Sequence, residues 1–153
     1  MEKMKKEIIE ALKIIHEKMQ DIKWYLIGSA NLSLQGMDFS PNDLDIIVSV
    51  VDFPEISKIF NEFLISDMGQ IKSSIKDVKL WKLKLKINNI DIEILGEDLG
   101  GFYIKDLKNN KLDFIKLGEI TIPCRTLESE INAYEKLNRT EKAELIKNFL
   151  NKK

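Results

Sequence analysis

The stretch Asp43–Val51 reads DLDIIVSVV, so two aspartates stand at the start of an apolar, β-branched run. A run of this kind is typical of a buried central strand. Asp43 and Asp45 are two residues apart, so their side chains project from the same face, about 6 to 7 Å apart along the strand. Carboxylates this close on a buried strand repel one another unless a positive group lies between them. A metal ion is the simplest candidate.

The segment before this strand predicts a helix, a strand and a turn. Apolar residues at helical spacing indicate an amphipathic helix over residues 2–19, in which His16 flanks the apolar stripe. Trp24–Ile27 is then a short apolar strand that ends at Gly28. Residues 29–35 predict a helix closed by Gly36, since glycine suits a helix C-terminal cap.

The segment after it predicts a second acidic strand. Strands are expected over residues 79–87 and 90–95, and Asn88-Asn89 between them suits a two-residue hairpin turn. In the second strand Asp91 and Glu93 face one way and the isoleucines the other. Alternation therefore does not choose between Asp91 and Glu93 as a metal ligand.

The remaining elements are predicted from spacing and turn residues. An amphipathic helix is expected over 56–63, and a short hairpin over Phe114–Ile122 that Pro123 ends. Thr126 can cap the first of two C-terminal helices, and Asn138 or Thr140 can separate the two. The chain shows no repeat or linker, which predicts one domain over residues 1–153.

Composition excludes several classes of protein. The chain has 153 residues, 44% of them apolar, which is enough for one core of ordinary size. No apolar run approaches the roughly 18 to 20 residues of a membrane span, and the start of the chain has no signal-peptide pattern, so a cytoplasmic location is expected. The net charge of -1 provides no general basic field for nucleic acid. The one cysteine, Cys124, is predicted to be a packing residue.

Lysines alternate with apolar residues in the predicted strand 79–87, at positions that include Lys82, Lys84 and Lys86. One interpretation is a strand whose solvent face is lysine. The other is a basic wall beside a triphosphate or an anionic acceptor. Both interpretations stay open at this point.

Three pieces of the chain, taken together and in this order, resemble the nucleotidyltransferase superfamily: Leu26-Ile27-Gly28-Ser29, Asp43-Leu44-Asp45-Ile46 and Ile92-Glu93-Ile94. Polymerase beta, CCA-adding enzymes and antibiotic nucleotidyltransferases share this fold. The likeness is closest to small stand-alone bacterial and archaeal members, and it extends through the tail, 127–150. It implies an α/β (α+β) fold with a mixed twisted sheet flanked by helices, and two C-terminal helices.

The resemblance also implies a role for each motif residue. Asp43 and Asp45 would hold two Mg²⁺ ions. Glu93 would bind the metal on the acceptor side and help to deprotonate the attacking hydroxyl, with Asp91 as the alternative. Gly28 would let the backbone approach a phosphate, and Ser29 would donate a hydrogen bond to it.

The reaction implied is attack of an acceptor hydroxyl on a nucleoside triphosphate, with transfer of the nucleoside monophosphate and release of pyrophosphate. ATP is the first candidate for the donor, and the acceptor is open: a small molecule, a protein or an RNA. Further triphosphate contacts are expected from Lys82, Lys84, Arg139 and Lys142. The alternative is a non-catalytic or antitoxin-like module that binds a protein partner. Whether the chain has such a partner or forms a homodimer is open.

Overall fold

The computed structural model describes residues 4–72, 79–98 and 101–152. The helices in these residues are α1 Lys6–Lys18, α2 Gly28–Leu34, α3 Phe53–Ile59, α4 Ile104–Lys108, α5 Leu127–Lys136 and α6 Thr140–Asn151. The strands are β1 Trp24–Ile27, β2 Asp43–Ser49, β3 Leu64–Lys72, β4 Lys79–Ile87, β5 Ile90–Glu97, β6 Leu112–Leu117 and β7 Ile120–Arg125. Single 3₁₀ turns occupy Val50–Asp52 and Asn61–Phe63.

The strands form one mixed sheet in the order β3-β4-β5-β2-β1-β7-β6. The pairs β2–β5 and β1–β7 are parallel, and the other neighbouring pairs are antiparallel. β2 lies in the middle of the sheet, which explains its nearly continuous apolar sequence. The prediction of a mixed sheet flanked by helices is confirmed.

One face of the sheet is covered by α1 and α3. Side chains at alternate strand positions, among them Leu26, Ile46 and Ile92, are fully buried on this face. They belong to one apolar cluster with Ile8 and Ile15 of α1. Alternation places the residues between them on the opposite face. This large apolar cluster is the main core of the molecule.

The opposite face is covered in part by the short helix α4. Ile104 and Leu107 of α4 pack with Tyr25 of β1 and Ile47 of β2. Asp45 lies on this same face, two residues before Ile47, and is partly rather than fully buried. On this face of the sheet, the apolar cluster under α4 therefore borders an acidic surface at the start of β2.

A third apolar cluster joins α2, α5 and α6 through residues such as Leu32, Leu127 and Ile146. The Thr126 hydroxyl accepts a hydrogen bond from the Ser129 amide at 3.1 Å, which confirms the predicted cap. This cluster holds the two C-terminal helices against the helix that follows Gly28.

The hairpin between β4 and β5 is also as predicted. Asn88 and Asn89 have φ values of 52° and 65°, the left-handed backbone that a two-residue type I′ turn requires. In β4 the leucines at 83 and 85 are buried, while Lys84 is exposed. β5 shows the same alternation, with Ile92 and Ile94 buried between less buried acidic positions.

Some boundaries differ from the predictions. Pro123 does not end the second hairpin, because β7 continues to Arg125 and Cys124 pairs with Leu26 of β1. Extended backbone suits the fixed φ of proline, so the strand continues through it. The helix predicted over 56–63 begins at Phe53 and ends at Ile59.

Two elements were not predicted at all. β3 has a polar, glycine-containing sequence without alternation, and it is a strand because it pairs with β4. α4 has five residues, too few to show a helical period. Among the described residues, no helix combines the length and the apolar character needed to cross a membrane.

Candidate functional site

The acidic residues of β2 and β5 lie side by side on one face of the sheet. In the parallel register Asp45 is opposite Glu93, and Asp43 is opposite Asp91. Residues directly opposite one another in a sheet project to the same side. The structure therefore brings together all four carboxylates that the sequence singled out.

Gly28 adjoins this acidic face. Ile27, the last residue of β1, pairs with Asp45, so the turn that follows lies beside that aspartate. Gly28 has φ +78°, and a Cβ added there would lie 3.4 Å from Asp45 Oδ2. Glycine is favoured at this position because the backbone is left-handed and because its bare α-carbon faces a carboxylate.

The acidic face has an excess of negative charge around Asp45. Burial raises the pKa of Asp45 to about 7, and the charges of Asp43 and Glu93 add to the rise. Lys82 acts in the opposite direction. Asp43 and Glu93 each act on Asp45 more strongly than Lys82 does, so the chain's own cations do not fully balance the carboxylates here.

The lysines of β4 are paired with acids of β5. Lys82 Nζ lies 3.4 Å from Glu93 Oε1, and Lys86 Nζ lies 3.5 Å from Asp91 Oδ1. Lys84 is exposed and stands opposite Glu93 in the register. Lys84 and Lys86 are exposed, as a solvent-facing lysine strand predicts, and a contact of Lys82 or Lys84 with triphosphate stays a prediction.

Glu93 and Asp91 differ in their relation to Asp45. Glu93 is its direct neighbour across the strands, and its charge contributes to the raised pKa of Asp45. Asp91 is paired in register with Asp43 instead. The geometry thus groups Glu93 with Asp45, next to Gly28.

Two basic residues of the C-terminal helices lie at the other side of the turn. Lys142 Nζ donates a hydrogen bond to Ser29 Oγ at 3.3 Å and lies 4.8 Å from the centre of the Phe39 ring. Arg139 stacks over the Tyr134 ring at 5.1 Å. Burial lowers the pKa of Lys142, and the charge of Arg139 lowers it further. Lys142 thus lies beside Ser29, and Arg139 is near enough for its charge to act on Lys142.

The donor chemistry of the acidic face fits magnesium. Asp43, Asp45 and Glu93 supply carboxylate oxygens, the ligands that Mg²⁺ prefers, and the charges of Asp43 and Glu93 add to the burial that raises the pKa of Asp45. Within residues 4–72, 79–98 and 101–152, no three His, Cys, Asp or Glu side chains are already arranged to hold a metal ion. Binding would therefore require the carboxylates to converge and Lys82 to leave Glu93.

Sequence reasoning missed a buried polar network on the far side of Gly28. Glu130 of α5 and Arg125 of β7 are 1% and 2% exposed, and they form an ion pair with Asn31 and Tyr25 nearby. One signal was available in the sequence: Glu130 stands between Leu127 and Tyr134 on the apolar stripe of its helix. A charged residue on such a stripe usually has a buried partner.

One cavity lies away from these residues. It has a volume of about 410 Å³ and lies at the other end of β1 from Gly28, lined by residues that include His16, Trp24 and Phe114. None of the predicted site residues lines it. The carboxylates and the glycine turn singled out by the sequence therefore lie on the open acidic face and not in this cavity.

The fold resembles that of proteins of known structure. A crystal structure from Thermotoga maritima, described as a putative nucleotidyltransferase (TM1012), superposes with a TM-score of 0.76 at 27% identity, over 98% of this chain and 96% of that one. The protein JHP933 from Helicobacter pylori matches with a TM-score of 0.46 at 14% identity, over 81% of this chain and 53% of that one, which is too distant to support an argument. No protein-family model matches the sequence, and no curated protein does. The Thermotoga protein matches this chain over nearly the full length of both. The chain accordingly has the nucleotidyltransferase fold.

Proposed function

We propose that this chain is a magnesium-dependent nucleotidyltransferase. It moves a nucleoside monophosphate from a nucleoside triphosphate, with ATP as the first candidate, to an acceptor hydroxyl and releases pyrophosphate. One observation carries the proposal: the Gly28–Ser29 turn lies between the acidic face and the cations of the C-terminal helices.

The acidic face and the Lys142 side of the turn favour ligand groups of opposite charge. The pKa of Asp45 is raised beside Asp43 and Glu93, so the acidic face favours a cation. The pKa of Lys142 is lowered by burial and by Arg139, so that side favours an anion. A nucleoside triphosphate with bound magnesium presents both, a metal ion and a polyphosphate, within one ligand.

Asp43, Asp45 and Glu93 would hold the magnesium, in two ions as the resemblance implies. Bound there, magnesium would neutralise charge on the phosphate oxygens and so lower the barrier to attack by an oxygen nucleophile. Asp91 remains the alternative to Glu93.

The other residues would bind and orient the triphosphate. Gly28 leaves space in front of Asp45 because it has no side chain. Ser29 would donate its hydroxyl hydrogen to a phosphate oxygen, and Lys142, which already contacts Ser29, would add a charge-assisted hydrogen bond. Arg139, Lys82 and Lys84 are further candidates for phosphate contacts.

The transfer step needs no reactant other than the triphosphate and the acceptor hydroxyl. The acceptor oxygen forms a bond to the α-phosphorus while the bond from that phosphorus to the pyrophosphate oxygen breaks. Glu93 would accept the proton of the acceptor hydroxyl, and pyrophosphate leaves with the bonding electrons. Most of the rate would come from positioning and from charge neutralisation.

Calorimetric titration of each of the four nucleoside triphosphates, with and without Mg²⁺, tests the proposal. The wild type should bind one or more of them only with the metal, and the variant Asp43→Asn/Asp45→Asn should lose this binding while remaining folded. Asp113→Asn is the matched control, because Asp113 is an exposed aspartate of the edge strand β6. It should bind as the wild type does.

Binding that needs no metal and survives in the double variant would contradict the proposal. A complete absence of binding would also contradict it, and would favour the alternative of a fold that serves to bind a protein partner. Co-purification of a partner would then be the next measurement.

A further inference from the structure

Glu130 reaches the Gly28–Ser29 turn from behind. Its Oε2 accepts a hydrogen bond from the Gly28 amide at 2.8 Å and a second from Asn31 Nδ2 at 2.7 Å. The side chain of Glu130 is 1% exposed, so these donors replace water around the carboxylate. A helix 102 residues further along the chain thus makes a direct contact with the backbone of the turn.

Arg125 balances the charge of this buried carboxylate. Its Nη1 lies 3.3 Å from Glu130 Oε1, and its Nη2 donates to the Tyr25 hydroxyl at 3.3 Å. The guanidinium also lies over the Tyr25 and Tyr103 rings, at 5.6 and 5.0 Å. A buried ion pair seldom stabilises a fold more than apolar residues of the same size would. Its presence at this position calls for a reason other than stability.

The contact fixes the orientation of one peptide group. The Gly28 N–H is directed to Glu130, while the α-carbon of Gly28 faces Asp45 Oδ2, 3.4 Å from an added Cβ. Gly28 has φ +78°. Glycine adopts positive and negative φ about equally readily, so the residue's own preference does not fix the orientation of this peptide group. The hydrogen bond to Glu130 supplies the missing restraint.

We propose that Glu130 is a positioning residue for the triphosphate: it holds the Gly28 peptide so that the space in front of the bare α-carbon of Gly28, beside Asp45, stays open to a phosphate group. Arg125 provides the charge that lets the carboxylate remain buried at this position. This inference rests on the proposed function, because it assigns the open space to the triphosphate.

The variant Glu130→Gln tests it with little change in shape. Glutamine offers one acceptor oxygen, which the buried cation Arg125 attracts, so its NH₂ group would face the Gly28 N–H and the Asn31 amide. The turn loses its restraint. We expect the dissociation constant of the magnesium-bound triphosphate to rise at least about tenfold, because small misplacements of binding groups are costly. Binding of Mn²⁺ alone should change by less than about twofold, because the carboxylates of β2 and β5 are untouched.

Tyr25→Phe is the matched control. It removes the hydroxyl that contacts Arg125 and the Tyr103 carbonyl, and so disturbs the same network without touching Gly28. It should lower the stability of the protein and leave the triphosphate affinity unchanged. A purely structural role for Glu130 predicts instead that both variants weaken binding in proportion to their loss of stability.

Hydrogen exchange of the Gly28 amide, followed by NMR, gives a readout that needs no nucleotide. The amide should exchange slowly in the wild type and in Tyr25→Phe, and much faster in Glu130→Gln. Unchanged protection of Gly28 in Glu130→Gln together with wild-type triphosphate affinity would overturn the inference. If the wild type binds no triphosphate, the proposed function fails, while loss of Gly28 protection would still support the restraint by Glu130.

A second variant covers the case in which Glu130→Gln does not fold. Glu130→Met with Arg125→Met removes both charges and keeps the volume, so no buried charge is left unpaired. This protein should fold, lose the protection of the Gly28 amide and bind the triphosphate at least about tenfold more weakly. Wild-type affinity in this double variant would overturn the inference.

Discussion

The two sides of Gly28 each present a carboxylate to the same glycine, and they are built in opposite ways. In front, Asp45 shares a face with Asp43 and Glu93, and burial beside these charges raises its pKa to about 7. Behind, Glu130 accepts bonds from Gly28 and Asn31 and is paired with Arg125. The rear carboxylate is satisfied by the chain, whereas the front ones are not.

This difference indicates that the Glu130 side serves as scaffold and that the Asp45 side is open to a ligand. A buried charge is tolerated when donors surround it, and such a network holds its neighbours in place. A set of carboxylates without enough cations is costly to the fold and favours an external cation. The front side therefore has the character of a binding site, and the rear side has the character of its support.

Removal of the rear carboxylate should have the largest effect on stability. Glu130→Ala leaves the Arg125 cation buried without its partner, which we expect to lower the free energy of unfolding by about 3 to 5 kcal/mol. The measurement is urea unfolding at neutral pH. Burial raises the pKa of Glu130, with Arg125 and the Asn31 hydrogen bond acting against that rise, so the carboxylate depends on these partners.

Glu135→Ala is the control on the same helix. Glu135 is exposed and pairs with Lys147 at 2.8 Å, and ion pairs in water contribute little. The comparison would be wrong if the two alanine variants lost similar amounts of stability.

On the front side, two alternative ligands can be compared directly. Glu93→Gln should weaken Mn²⁺ binding in the presence of triphosphate by about 100-fold, since it removes a carboxylate from the group around Asp45. Asp91→Asn should weaken it by less than about threefold, because Asp91 is exposed and stands opposite Asp43 instead of Asp45. Electron paramagnetic resonance of free Mn²⁺ gives the dissociation constant of Mn²⁺ for each variant. The reverse order of effects would assign the third ligand to Asp91.

The metal-free protein should be more stable without the Asp45 charge. Because its folded-state pKa is raised to about 7, folded Asp45 holds its proton to higher pH than the unfolded chain does. The resulting penalty is absent below about pH 4, develops between about pH 4 and 7, and is complete above that. Asp45→Asn should thus exceed the wild type in free energy of unfolding by up to about 4 kcal/mol at pH 8 and by little at pH 4.

Urea unfolding at several pH values in the presence of a chelator measures this difference. Other carboxyl groups with a raised pKa, such as that of Glu97, are present in both proteins, so their effects on stability cancel in the comparison. A difference that does not change with pH, or a less stable variant at pH 8, would show that the front carboxylates are balanced after all.

The smallest effect concerns the space at Gly28. Gly28→Ala and Gly118→Ala both place alanine at a positive φ, +78° and +66°, and each should cost about 1 to 2 kcal/mol of stability. An added Cβ meets Asp45 at Gly28 and nothing within 4 Å at Gly118. Only Gly28→Ala should therefore weaken triphosphate binding, by about tenfold. Equal affinities in the two variants would mean that this space is not used by the ligand.

The front side could be predicted from the sequence because its signals are local. The alternation in β2 and β5 placed the acids on faces, and the apolar run after Asp45 indicated a central strand. The register that pairs Asp45 with Glu93 was not predicted, because a slip of two residues keeps the same faces and would place Asp45 opposite Asp91 instead. Gly28, the first residue of α2, was identified by the same local patterns.

The rear side could not be predicted, because its contacts join distant parts of the chain. Gly28 and Glu130 are 102 residues apart, and no local pattern relates them. The same applies to β3, whose polar sequence becomes a strand through pairing with β4, and to β7, where pairing of Cys124 with Leu26 extends the strand past Pro123. In each case tertiary contact outweighs local preference.

A crystal structure with Mg²⁺ and a triphosphate analogue that carries carbon between its α- and β-phosphorus atoms would show whether the acidic face and the Gly28–Ser29 turn bind one ligand together. We expect metal ions held by Asp43, Asp45 and Glu93, phosphate oxygens against Gly28 and Ser29, and Glu130 still bonded to the Gly28 amide. Phosphates bound elsewhere, or a metal ion away from these carboxylates, would contradict this expectation.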